Sequence, residues 1–117
     1  SFIEHLNGYW EIDEVTLPDG SKKDYNYNET IEYMMVTDSL TGFRKKLKPN
    51  FQGTYTTSSD AESLKLVIEN DSLNVYYKTP YSEWKETIID ASEKQMIVKN
   101  RDNLLYTYKR YEPLDLE

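Results

Sequence analysis

One carboxylate of this chain is placed where chemistry can be done. Glu86 alternates with Trp84 and Ile88 on a strand face that is otherwise apolar. Pointing inward, such a carboxyl group loses hydration, and its pKa rises unless a cation such as Arg110 or a lysine pairs with it. It would then act as the acid of glycosidase-type chemistry or hold the polar head of a ligand. The alternative is a bulge that turns Glu86 outward. Glycosidase chemistry also needs a second carboxylate across a cleft, and nothing in the sequence supplies one.

The other reactive types are sparse. His5 is the single histidine and there is no cysteine, so thiolate metal sites are excluded and a histidine cluster cannot form. Nucleophilic catalysis lacks a base aligned with a serine or threonine. Glu11, Asp13 and Glu14 are closely spaced, but Glu11 and Asp13 share a strand face and lack the backbone carbonyls of a calcium loop. The run Arg44-Lys45-Lys46-Leu47-Lys48 reads as a solvated strand face or a sheet edge, where lysines discourage edge pairing. No catalytic residue, metal ligand or cofactor is expected.

Aromatic residues are the stronger lead. Tyrosine alone accounts for 11 positions, and Tyr33, Met35, Tyr55, Tyr77, Trp84, Tyr106 and Tyr108 fall on faces assigned inward, with Leu66 and Ile68 beside them. Together with Glu86 they are the candidate ligand-binding residues. Tyrosine suits a thin wall, because its ring fills volume while its hydroxyl finds a partner at the edge. A small barrel so lined is either filled by its side chains or holds one small ligand. In the second case Tyr25 and Tyr27, in a long connection over 18–28, would act as a lid.

The elements that must position these residues are strands. From Trp10 to Thr16 and from Thr30 to Thr37 the chain reads as extended, the second stretch being apolar on both faces. Residues 43–57 read as one kinked strand or two, interrupted at Pro49-Asn50. From Leu64 onward the alternation is clean, with Leu64, Leu66 and Ile68, then Leu73, Val75 and Tyr77, then Trp84, Glu86 and Ile88. Each hairpin there takes about ten residues, the spacing of a sandwich or barrel. Only residues 2–7 suit a helical turn. The chain is all-β, an up-and-down antiparallel barrel of eight to ten strands forming a single domain over 1–117.

Composition narrows the partners. With 21 acidic and 14 basic residues the formal charge is −7, so a phosphate backbone would be repelled and nucleic acid is a poor partner. No apolar run approaches the ~20 residues of a membrane helix. A lipid anchor upstream of Ser1 is compatible with the abrupt start.

Gly8-Tyr9-Trp10 after a short helical turn, with Arg110 in phase on the last strand, resembles the lipocalin-like (calycin-type) barrels, in particular the short lipocalin-like domains of Bacteroidetes cell-envelope proteins. The resemblance implies that Gly8, Trp10 and Arg110 close one end structurally, the guanidinium lying over the indole. It further implies non-enzymatic binding of a small hydrophobic or amphipathic molecule in the cell envelope. The alternative is a protein- or glycan-interaction module with a filled barrel, meeting its partner through Tyr76, Tyr81 and Tyr111.

Overall fold

A computed structural model describes residues 2–25, 30–49, 55–57 and 61–111. A 3-10 turn over Ile3–His5 leads into ten strands: β1 (Gly8–Thr16), β2 (Lys22–Asp24), β3 (Ile31–Val36), β4 (Thr41–Pro49), β5 (Tyr55–Thr57), β6 (Glu62–Glu69), β7 (Ser72–Lys78), β8 (Glu83–Ala91), β9 (Gln95–Lys99) and β10 (Leu105–Arg110). Every pairing is antiparallel. Eight strands form the wall in the order β1-β3-β4-β6-β7-β8-β9-β10, and β10 pairs back onto β1 to close it. Closure removes both free edges of the wall. The short β2 and β5 are ribbons laid on β1 and β4.

The stretch 43–57 therefore contains two strands, β4 and β5, with Leu47 in register with Thr57. The connection expected to be pure loop after the first strand carries β2, whose Lys23 pairs with Val15. Residues 26–29, including Tyr27, lie outside the described residues, as does the segment 50–54.

Local chemistry explains the tight turns. Asn70 and Asp71 both adopt positive φ, at 50° and 65°, as the twist-matched hairpin turn between β6 and β7 requires, and Asn and Asp tolerate that conformation best after glycine. At the β3–β4 hairpin a Cβ on Gly42 would sit 1.8 Å from the Met35 carbonyl oxygen, so only glycine allows the two backbones to approach this closely.

The core fills the end where β1 begins. Leu6 and Trp10 are fully buried, and Met34, Val36, Leu64, Leu66, Leu73, Val75, Tyr77, Ile88, Ala91, Met96 and Val98 pack with them. The Trp10 indole N–H donates to the Leu6 carbonyl at 2.9 Å. Arg110 lies over the indole at 3.7 Å from its centre, and donates from Nε, Nη1 and Nη2 to the carbonyls of Glu93, Asn7 and His5. The 3-10 turn, the β8–β9 turn and the floor of the barrel are thereby tied through one side chain. Burial pulls the Arg110 pKa below the ordinary arginine value. Gly8 belongs to the same device: its φ is +124°, and a Cβ there would stand 2.8 Å from Arg110 Nη1.

Candidate functional site

Strand phase decides which side chains face inward. On β1, Trp10 and Ile12 point into the barrel, and a bulge between Ile12 and Glu14 shifts the phase so that Val15 follows them. Lys109 crosses to the outward acids Glu11 and Asp13 at 3.4 and 4.0 Å. On β3 the inward set is Glu32, Met34 and Val36, paired across the sheet with Lys46, Arg44 and Gly42. On β7 and β8 it is Leu73, Val75 and Tyr77 beside Ile88, Glu86 and Trp84. On β10, Tyr106 and Tyr108 face inward opposite Val98 and Met96 of β9.

Tyr33 and Met35 are thus corrected. Both stand on the outer wall, where Tyr33 packs between Tyr9 and Phe43 at ring separations of 4.8 and 5.9 Å, and Met35 is exposed. The reason is one of phase: β3 is apolar on both faces, and the interior claims the face that carries Glu32. Ile68 has the inward phase but is 66% exposed, because it stands at the end of β6 beside the β6–β7 turn. Tyr55 belongs to β5, and its side chain lies outside the described residues.

Glu86 points inward, and its cation is neither Arg110 nor a lysine. Arg44, expected on a solvated face, is buried at 8% exposure. Its Nε donates to Glu62 Oε1 at 2.7 Å and its Nη1 reaches Glu86 Oε1 at 3.4 Å, while Glu32 Oε2 lies 3.6 Å from Nη1. The guanidinium also lies 4.0 Å from the centre of the Tyr77 ring, whose other neighbour is the stacked indole of Trp84 at 5.4 Å. Burial opposes the charge of Arg44, but Tyr77, Glu32, Glu62 and Glu86 outweigh it and raise its pKa well above the ordinary value.

The carboxylates and tyrosines respond to the same surroundings. Burial pushes the Glu86 carboxyl above the usual glutamate range, with Arg44 acting against that rise and Glu32 adding to it. Burial raises the Tyr77 and Tyr108 hydroxyls well above the usual tyrosine value, and for Tyr108 the charge of Glu32 adds to it. Tyr106 is raised by burial and then by Glu86. No buried polar side-chain atom among the described residues lacks a hydrogen-bond partner.

The opposite end from the core is hollow. A cavity of about 220 Å³ is lined by Trp10, Ile12, Val15, Tyr25, Thr30, Ile31, Glu32, Lys46, Tyr106 and Tyr108. Trp10 and Tyr108 form its base, and half-buried Tyr25, from the segment after β2, closes one side. Tyr106, Tyr108 and Tyr25 are brought together around this cavity. Tyr77, Trp84 and Glu86 sit one step round the interior, in the Arg44 cluster, and none of them lines this cavity. A larger hollow, about 560 Å³, lies on the outer wall of β6, β7 and β8. Six of its nine lining residues, Ser63, Lys65, Tyr76, Lys78, Glu83 and Lys85, have the outward phase, and the inward-phase Leu64, Tyr77 and Trp84 alternate with them, so it is a surface groove of the three-stranded wall. Among the described residues no group of His, Cys, Asp and Glu is arranged to hold a metal.

Arg44, Glu32, Glu62 and Lys46 are the interior and rim residues missed by the sequence reading. The available signal was the pairing of acids on β3 and β6 with a basic residue on the strand between them.

Comparison with known proteins gives the setting. A family profile described as a lipocalin-like domain matches residues 6–98. No curated protein matches the chain. Among solved structures, a lipocalin-like protein from Bacteroides uniformis superposes with a TM-score of 0.55 at 8% identity, covering 92% of this chain and 99% of its own. An uncharacterized protein from Bacteroides eggerthii superposes with a TM-score of 0.54 at 13% identity, over 91% and 99%. At these identities the likeness is one of fold. No described helix is long and apolar enough to cross a membrane.

Proposed function

We propose that this chain, which belongs to the lipocalin-like domain family, binds a compact amphipathic molecule in the cup at the open end of its barrel, without catalysing a reaction. The family is one of binding domains. The observation that carries the reading is the division of the interior: one half is packed with buried side chains, while the other is a cavity lined by tyrosines and branched aliphatics. At about 220 Å³ the cup is smaller than the ~300–1,000 Å³ of drug-sized sites. A short apolar body with one polar end suits it better than a long acyl chain or a haem. Tyr25 would flank the bound molecule on one side, and Tyr106 and Tyr108 would line it. An envelope location, implied by the sequence resemblance, is part of the same proposal, and cell fractionation checks it.

A blocking variant tests the reading. Val15 is buried and lines the cup. Val15→Phe should fill it at an overpacking cost of ~1–3 kcal/mol and abolish the NMR shift changes that compact aryl alcohols induce in wild type. Shifts that persist in a folded Val15→Phe protein would place binding elsewhere.

One observation favours the second reading, an interaction module. Tyr9, Tyr33 and Phe43 make a continuous aromatic strip on the outer wall, and Met35 is exposed nearby on the same face of β3. Loss of partner or glycan binding in Tyr33→Ser, with cup binding intact, would support that reading.

A further inference from the structure

The contacts around Arg44 are uneven. Glu62 has the short charge-assisted bond at 2.7 Å and Glu86 a longer one at 3.4 Å, whereas Glu32 stands at 3.6 Å, an ion pair beyond hydrogen-bond reach. A guanidinium offers five donors but one positive charge, and three carboxylates face it. Glu32, the least firmly held of the three, is also the only one that lines the cup.

Its surroundings there are of two kinds. Ile12 and Val15 supply apolar contact, and Tyr106 and Tyr108 supply ring faces. Lys46, the cross-strand partner of Glu32, also lines the cavity but is exposed at the rim. Water and salt screen its charge, while the Glu32 side chain, 18% exposed, acts in a medium of lower dielectric. The deep end of the cup is therefore governed by carboxylate charge.

We infer, on the reading of the cup as a ligand site, that its ligand carries a protonated amine or an equivalent cationic donor and inserts that group first, against Glu32. An ammonium would give Glu32 the short donor contact that Arg44 does not, and the rings of Tyr106 and Tyr108 favour a cation beside them. A carboxylate-headed ligand entering the same way would meet Glu32, with the neighbouring Arg44 guanidinium already engaged by Glu62 and Glu86. Orientation and chemical class follow together: polar end inward, apolar end at the rim.

Three probes sharing one apolar body separate the possibilities: 2-phenylethylamine, 2-phenylethanol and 3-phenylpropanoate, titrated against the whole chain by isothermal calorimetry or NMR. In wild type the amine should bind about tenfold tighter than the alcohol, as one added charge-assisted hydrogen bond predicts, and the carboxylate weakest. Glu32→Gln should bring the amine to within about twofold of the alcohol and leave the alcohol unchanged, whereas Lys46→Met should preserve the ratio. Equal binding of amine and alcohol, or preference for the carboxylate, overturns the inference while leaving the cup as a ligand site. Loss of the alcohol together with the amine in Glu32→Gln assigns Glu32 a structural role and also overturns it. Should Glu32→Gln fail to fold, the wild-type ratio alone decides. Absence of binding by all three probes refutes the cup reading itself.

Discussion

Replacing Arg44 by methionine removes the one cation that three inward carboxylates share. The side chain of Arg44 is 9% exposed, and those of Glu32, Glu62 and Glu86 are 18%, 22% and 13% exposed, so none of these charges is held in bulk water. Methionine fills most of the volume, and the dominant loss is electrostatic: breaking a buried ion pair from one side costs ~3–5 kcal/mol. Partial exposure of Glu62 moves the expected value toward the lower end. For a chain of this size the change corresponds to a fall in melting temperature of roughly 10–20 °C. Urea denaturation at neutral pH measures it, and repetition at lower pH identifies its origin. Without Arg44 the folded state takes up protons at a pH where the unfolded chain has already released them. Stability of the variant should therefore rise as pH falls toward the ordinary carboxylate range, and the penalty should shrink. Adding Glu32→Gln, Glu62→Gln and Glu86→Gln to Arg44→Met should restore most of the loss, since a neutral interior of similar volume is no worse than a satisfied ion cluster. A penalty below ~1 kcal/mol, or one independent of pH, would refute the buried-cluster argument.

Glu86→Gln tests the same interior from the acid side. Burial raises the folded-state pKa of Glu86 above its unfolded value, so its contribution to stability is present when it is protonated and lost as pH rises through the folded pKa. Wild type should lose stability with rising pH just above the usual glutamate range, and the variant should show a flatter profile in urea melts over that window. The phase of β3 is tested by two neighbouring methionines. Met35→Lys, on the outer wall, should change stability by less than ~0.5 kcal/mol. Met34→Lys, at 2% exposure, should unfold the chain or cost more than ~4 kcal/mol. Equal effects at the two positions would contradict the assigned register.

Much of the architecture is legible in residue order because closed barrels repeat one rule. The alternation of Leu64, Leu66, Leu73, Val75, Tyr77 and Ile88 names the inner wall of β6 to β8 correctly, and Tyr106, Tyr108 and Arg110 share the phase that places the last over Trp10. Hydrophobic periodicity carries no information where both phases are apolar. On β3, Ile31, Tyr33 and Met35 are as hydrophobic as Met34 and Val36, and the choice is made by Glu32, whose inward place depends on Arg44 of the neighbouring strand. A charge inside a barrel is legible only with its partner, and that partner was concealed in a run of four basic residues. Periodicity also says nothing of where a strand outruns the barrel, which is why Ile68 keeps the inward phase yet meets solvent. The bulges at Ile12/Glu14 and Ile88/Asp90 likewise leave no mark in composition, and the first of them brings Val15 into the cup.

The most direct test of the account is native mass spectrometry of gently purified wild type beside Val15→Phe, followed by denaturing extraction of whatever is bound. The account predicts a stoichiometric extra mass on wild type, of a compact amphipathic molecule, that is lost on denaturation and absent from the blocked variant. A bare wild-type mass that persists after incubation with compact amphipathic amines and alcohols would contradict it.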